Sequence, residues 1–406
     1  MPIPSAISDL STTPSLNSPA GSESPALVDD YLRTHAAFIK QVSDSKDTLD
    51  AANVKLTGNQ TIAGTKTFSS APVVPGLNGG QLAGMRNKII NGKMEIAQRG
   101  ASFAAIANGD YSLDRWVFEK STTAVITASQ QADIPSGNEF QSSLRLAVTT
   151  ADTSISSTDY CLISQRVEGY NVRDLIGRTF TLSFCVRSSK TGVHCVAMRN
   201  SGTDRSYVAE YTVNAANTWE TKTITVPGGL ITAGTWNWTN GAGLFVSFVL
   251  AAGTTFQTTA GSWQTGNFIA TANQVNCLDT VGNIFAITGV QLEVGSVATP
   301  FEHRPIGAEL ALCQRYYERN PNASAAYPQA TVSYMRIRGN NQDVDGTVYF
   351  STTKRANPTV NARFDINDGA EANATFSAVT RGGFTAVLGT FAGAADINDW
   401  QADSEL

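Results

Sequence analysis

Few side chains in this sequence are of a type that could do chemistry. Cleaving a glycosidic bond needs two carboxylates held about 5 to 9 Å apart across the sugar, and the candidates are Asp110, Asp114, Glu119, Asp204 and Glu210. Asp114 sits in DRW, where pairing with Arg115 would fix a strand start, and Asp204 sits in the turn SGTDRS. The long repeats of a parallel β-helix, expected in a depolymerase, do not occur. No GxxxxGK(S/T), GxSxG or HExxH pattern is present, so a phosphate cradle, a nucleophile elbow and a zincin site have no support. His35, His194 and His303, with Cys161, Cys185, Cys195, Cys277 and Cys313, contain no ligand pair at metal spacing. An odd cysteine count without CxxC argues against a disulfide framework. Cys185, in the apolar strand TLSFCVRS, reads as a buried thiol. His194 and Cys195 are adjacent and should point to opposite faces of a strand. The expectation is a non-enzyme with no metal and no cofactor.

Sugar binding has more to rest on. A carbohydrate site combines a flat aromatic face with amide donors and acceptors. Trp236, Trp238 and Trp263 lie in AGTWNWTNGAG and TAGSWQTGN, with Asn237 and Asn240 beside them. Trp236 and Trp238 are two apart, so they share a face if the segment is extended. These five residues are the candidate glycan site; the competing reading is that the aromatics fill a core or a subunit interface. Trp116 and Trp219 are embedded in strands and read as core. Trp400, in NDWQADSEL, is expected at an exposed tip.

The elements that would position these residues are mostly β. Charged residues are 16% and hydrophobic residues 42%, the balance being rich in Thr, Ser, Asn and Gly, which suits hydroxyl-faced strands and tight turns. A net charge of −5 and a pI near 5.3 speak against a nucleic-acid partner. No run of about 18 apolar residues exists, so no membrane insertion is expected. The start, MPIPSAISDLSTTPSL, lacks a basic region and an apolar run, so no secretory signal is expected either.

Residues 1–24 are polar and Ser/Pro-rich, an extended segment that would be ordered only on another protein's surface. Ser24-Pro25 opens a helix over 25–52. Its seam of Val28, Leu32, His35, Ile39, Val42 and Leu49 steps by four and three, with Leu27, Tyr31 and Phe38 on a second stripe. Two stripes suit a trimeric bundle. Residues 53–84 carry short strands too few for a closed core, then a Pro/Gly linker, so the shaft needs copies of itself. Over 85–304 the candidate strands are 114–119, 143–149, 160–167, 180–188, 206–213, 219–226, 244–250 and 285–294, a pattern of a jelly-roll-like β-sandwich. A helix follows over 305–319 within a connecting segment to 320, and 321–406 reads as a smaller C-terminal β-sandwich.

Several segments together resemble a bacteriophage tail fibre of the short-tailed phage type. RNKIINGKMEIAQRG at 86–100 and YSLDRWVFE at 111–119 resemble the opening of a tail-fibre sandwich module. ITGVQLEVGSVATPFEHRPIGAELALCQRYYER at 287–319 resembles its closing strand and following helix, and LTGNQTIAGTKTFSSAPVVP at 56–75 a shaft repeat. The stretch from SDLSTTPSL to AAFIKQ resembles the fibres' N-terminal attachment region. The resemblance implies a homotrimeric structural virion protein, assembled in the host bacterial cytoplasm and located in the tail. Residues 1–50 would hold a tail adaptor, nozzle or portal-proximal protein. The distal part would recognise a host surface polysaccharide or lipopolysaccharide. The alternatives are a purely architectural collar or appendage fibre, and a polysaccharide depolymerase.

Overall fold

The computed structural model describes residues 28–52, 84–137, 139–230, 233–320, 336–366 and 370–406. The chain divides into two compact units, residues 1–72 and 73–406. The segment expected over 1–24, and the shaft and linker over 53–84 apart from Gly84, lie outside the described residues.

In the first unit α1 (Val28–Ala52) forms where the sequence period puts it. Along the seam Val28, Leu32, Ile39 and Val42 are 44, 64, 72 and 56% exposed, whereas Phe38 on the second stripe is buried. His35 is half-buried, and the side chain of Leu49 is outside the described set. A single chain therefore leaves these four seam residues uncovered.

In the second unit, the strands β1 (Ser102–Phe103), β2 (Trp116–Lys120), β3 (Val125–Gln131), β4 (Ser143–Thr150), β5 (Tyr160–Glu168) and β6 (Phe180–Ser188) come first. A one-turn helix, α2 (Gly169–Val172), separates the last two. Then follow β7 (Gly192–Asn200), β8 (Arg205–Val213), β9 (Glu220–Val226), β10 (Ala242–Ala252), β11 (Trp263–Thr265) and β12 (Ile284–Val294). One sheet is ordered β1-β3-β4-β12-β6-β9 and the other β11-β8-β7-β10-β5-β2. All pairs in both sheets are antiparallel, and the strand order is that of a sandwich with crossovers rather than a simple meander. The sequence reading locates eight of these strands and passes over β1, β3, β7 and β11. β7 is missed because GVHCVAMRN lies between β10 and β8, buried on both faces over most of its length, and so does not alternate.

The core lies between the sheets. Trp116, Phe118, Ile163, Met198 and Phe248 from one sheet meet Ile126, Leu146, Phe184 and Phe285 from the other. Phe184 stands edge-on to Phe248 with ring centroids 4.9 Å apart. Each such fully buried side chain contributes roughly 1.5–3 kcal/mol of apolar burial. On the opposite face of the second sheet, Leu162, Cys195, Ala197, Val208 and Val249 pack under Ile269 and Ala270. His194 points inward, near Tyr211 and Phe285, and Cys195 outward, as their adjacency predicts. All five cysteines are free and buried.

The two ends of the sandwich are tied together by buried polar groups. Glu302 accepts the amide of Asn87 at 2.8 Å, and Glu309 accepts the amide of Asn91. Arg304 donates to the carbonyls of Ile89, at 3.1 Å, and Asn87, and pairs with Glu302 and Glu309 at 3.2 and 3.3 Å. Asn91 holds φ +56 while its side chain bonds Ile96 through both nitrogen and oxygen, at 2.8 and 2.9 Å.

The helix expected to run to residue 319 stops earlier: α3 spans Ile306–Gln314 and Tyr317–Arg319 is strand β13. Buried Glu168 draws Arg315 (2.6 and 2.9 Å) and the Tyr316 hydroxyl (2.6 Å) out of the helical path. The rest of the C-terminal region is β14 (Arg336–Tyr349), β15 (Thr359–Ile366), β16 (Ala370–Asn373), β17 (Thr375–Thr380) and the 21-residue β18 (Gly383–Asp403). β18 pairs with β13, β14, β15 and β17, so the described residues of the expected second sandwich gather in one sheet around it. Trp400, expected at an exposed tip, is half-buried there, 5.9 Å from Phe350 and 5.6 Å from Phe384. An aromatic cluster needs this ring more than solvent does.

The final residues return to the central sandwich. Glu405 pairs with Arg115 and, at 3.3 Å, with Arg99, and the Leu406 carbonyl accepts from the Tyr111 hydroxyl at 3.0 Å. The expected Asp114–Arg115 pair does not form. Asp114 accepts from the amide and side chain of Gln98 at 2.7 and 2.5 Å, while Arg115, at φ +73, lies 3.5 Å over the Tyr316 ring. Neighbours along a strand start diverge, and each finds its own partner.

Candidate functional site

The loop leading into β10 and the turn between β7 and β8 meet at one edge of the sandwich. Two glycines allow the approach. Gly169, at the start of α2, and Gly243, at the start of β10, lie so close that a Cβ on Gly169 would collide with the Asn237 carbonyl. Gly169 donates to the Gly241 carbonyl at 2.8 Å and Tyr170 to that of Thr239 at 2.9 Å. The loop is thereby held against the fold rather than projecting from it.

On this support Trp236 and Trp238 stack, with centroids 5.0 Å apart and planes 9° from parallel. Trp263, from β11, stands edge-on to Trp236 at 5.9 Å. The Trp236 and Trp263 indoles donate to the carbonyls of Ala233 (2.9 Å) and Gly229 (3.0 Å), which fixes both rings. All three are half-buried against the main core. All three rings pack on the core, one of the two readings weighed from the sequence, and Trp236 and Trp238 also line an open groove of about 490 Å³. Ser201, Gly202, Thr235, Trp236, Asn237, Trp238 and Thr239 line that groove. Trp263 buttresses Trp236 and is not among the lining residues.

The two asparagines are engaged within the fold, and Asn237 also lines the groove. The Asn237 side-chain oxygen accepts from Thr239 (amide 2.9 Å, hydroxyl 3.0 Å) and from Gly241 (3.3 Å), so it shapes the loop. Its amide donates to the Ser201 hydroxyl at 2.8 Å. Asn240 is exposed, and its carbonyl accepts from Arg355 at 2.9 Å. The residues that sequence reasoning missed are hydroxyls: Ser201, Thr235 and Thr239. Lone hydroxyls in turns carry no spacing signal, and only the meeting of two distant loops brings them together.

The candidate carboxylates are dispersed and engaged. Asp204 accepts the Thr235 amide and hydroxyl at 3.0 and 2.9 Å and is held below the usual carboxylate range, first by the Asn200 side chain and then by Thr235. It braces the groove from behind. Glu119 pairs with Arg166 at 2.6 Å, Glu210 accepts from Asn273 at 3.0 Å, and Asp110 accepts the Ala107 amide at 3.0 Å. Among the described residues lining the groove there is no carboxylate. Among the described residues no three His, Cys, Asp or Glu side chains cluster as metal ligands, and no helix is long and apolar enough to cross a membrane.

Residues 49–71 match the family of lower baseplate protein N-terminal domains. No curated protein matches the sequence. Among solved structures, the enzymatically active domain of tailspike protein 4 from bacteriophage CBA120 is similar at 15% identity and a TM-score of 0.30. The match covers 52% of this chain and 22% of that one. A putative sugar-binding protein from Bacteroides thetaiotaomicron is similar at 10% identity and a TM-score of 0.32, over 52% of this chain and 100% of that one. A family 11 carbohydrate-binding module from Clostridium thermocellum, in complex with a mixed-linked tetrasaccharide, gives 10% identity and a TM-score of 0.26 over 50% and 99%. The family match overlaps the segment whose motif resembles a fibre shaft and supports a phage tail or baseplate protein.

Proposed function

We propose that this protein is a homotrimeric fibre of a phage tail, held to a tail protein through residues 1–50 and recognising a glycan of the host surface through the groove at Trp236 and Trp238. The observation that carries the recognition step is the stacked Trp236–Trp238 pair, its Trp236 indole hydrogen-bonded to Ala233, beside an open groove lined by Ser and Thr. A sugar offers an apolar C–H face and a rim of hydroxyls. An aromatic surface beside Ser and Thr hydroxyls answers both, and rings already fixed by the fold lose little entropy on binding. The role proposed is binding; among the described residues lining the groove there is no carboxylate pair of the kind glycoside cleavage requires.

Oligomerisation is supported by the seam of α1, where Leu32 and Ile39 are exposed in the single chain. Three helices sharing such seams would bury these faces together. The same trimer is compatible with a purely architectural fibre, and adsorption separates the two. Full-length protein is applied to host cells beside the Trp238→Ala variant; cell binding that depends on Trp238 supports recognition, and none by either protein leaves the architectural reading.

A further inference from the structure

A second cavity, of about 520 Å³, lies in the C-terminal sheet, remote in sequence from the tryptophan loop and built from different chemistry. Its lining includes Arg319, Gln401, Asn361, Asn373 and Phe376. The strand register explains how these residues come together. Arg319 on β13 is directly opposite Gln401 on β18, and Gln401 is directly opposite Asn361 on β15. Directly opposed residues share a face, so three polar side chains form a row across three neighbouring strands, about 4.8 Å apart per step. Asn373 on β16, opposite Arg363, extends the row by one strand. Phe376 is also among the lining residues, its ring edge-on to Phe384 at 5.7 Å.

The row is prepared to donate hydrogen bonds. The Tyr317 hydroxyl gives its proton to the side-chain oxygen of Gln401 at 2.9 Å, which leaves the NH₂ end of that amide as the donor. Tyr317 is in turn braced by the Arg99 guanidinium, 3.6 Å over its ring. Arg319 is anchored by one nitrogen to the Gln98 carbonyl at 3.3 Å. Among the described residues that line the cavity, Arg319 is the charged side chain. A row of amides with a guanidinium at one end suits an elongated ligand with many acceptors and at least one anionic group.

We infer that this row is a second saccharide site, distinct from the tryptophan groove, which takes an acidic glycan segment: Arg319 receives its carboxylate, and Gln401, Asn361 and Asn373 receive its hydroxyls and ring oxygens. A guanidinium matches a carboxylate in two parallel hydrogen bonds, and charge-assisted bonds of this kind are about twice as strong as neutral ones. Among the described residues lining the tryptophan groove there is no cation, so that groove would not make this distinction.

The test is calorimetry on the full chain with trigalacturonic acid, its methyl-esterified form and a neutral hexose oligosaccharide. The acid should bind at least about tenfold more tightly than its ester, and increasingly so at low salt. Arg319→Gln should remove that preference, and Asn361→Asp, which sets a carboxylate in the row, should weaken acid binding while circular dichroism and melting stay as in the parent. Trp238→Ala should leave acid binding unchanged and affect only the neutral oligosaccharide. No binding of the acid, equal binding of acid and ester, or an Arg319→Gln variant with unaltered preference would each overturn the inference. Loss of acid binding in Trp238→Ala would assign it to the other groove instead. Failure of the neutral sugar alone counts against the tryptophan groove and not against this site.

Discussion

Trp236 and Trp238 are stacked on one another, 5.0 Å apart and 9° from parallel. Two residues apart on an extended segment is enough to put the rings on one side. It does not make them parallel. That requires the loop to be pressed against α2, where Gly169 and Gly243 let backbone meet backbone. The stack is therefore a property of a contact between a loop and a distant helix start.

This gives the first prediction. Gly169→Ala sets a methyl group against the Asn237 carbonyl and should push the loop outward. Tryptophan emission should shift as the stack opens, and glycan affinity should fall several-fold, in keeping with the roughly 0.5–1.5 kcal/mol that aromatic pairing contributes. Unchanged emission with unchanged binding would show that the loop does not need this contact.

Arg304 is the keystone of the polar tie between the opening and closing segments of the sandwich. Arg304→Met would strand Glu302 and Glu309 without their cation. Breaking a buried pair from one side costs roughly 3–5 kcal/mol, so the midpoint of urea unfolding should fall sharply. A double variant with Glu309→Gln should recover part of the loss.

These ties also explain what could be read from the sequence. RNKIINGKMEIAQRG and FEHRPIGAEL stand out because Asn87, Asn91, Glu302, Arg304 and Glu309 must satisfy one another's buried groups, which limits the residues that fit. Strands such as Phe180–Ser188 are visible because apolar residues and turn signals bound them. β7 was hidden by burial on both faces, and the end of α3 by a distant Glu168 that a local period cannot register. At the site, the tryptophans were legible from type and spacing. Ser201, Thr235 and the amide row of the C-terminal sheet were not, because the first two depend on two distant loops meeting and the row on register between strands far apart in the chain.

Glu220 supplies a pH dependence. Partial burial pushes its carboxyl up, but hydrogen bonds from Lys222 and from the amides of Ala215 and Asn214 more than offset this and hold it at about 2, against an ordinary 4.5. A folded-state value below the unfolded one favours folding above the unfolded value, and the contribution is lost as the pH falls from about 4.5 to about 2. Thermal melts across that window should fall less steeply for Glu220→Gln than for the parent.

The trimer is tested through its seam. Light scattering should give three times the mass of one chain for the parent, and Ile39→Asp, which puts a charge at a position 72% exposed in the single chain, should lower it towards one. A parent of single-chain mass would refute the oligomer and leave α1's apolar seam without a role.

Adsorption to host cells remains the most direct test of recognition by the tryptophan groove. Labelled full-length protein and its Trp238→Ala variant, matched for fold by circular dichroism and for mass by light scattering, are titrated onto cells with and without competing host polysaccharide. The account predicts saturable binding that the polysaccharide displaces and that weakens at least several-fold in the variant. Binding of equal strength by both proteins, or displacement that ignores the polysaccharide, would contradict it.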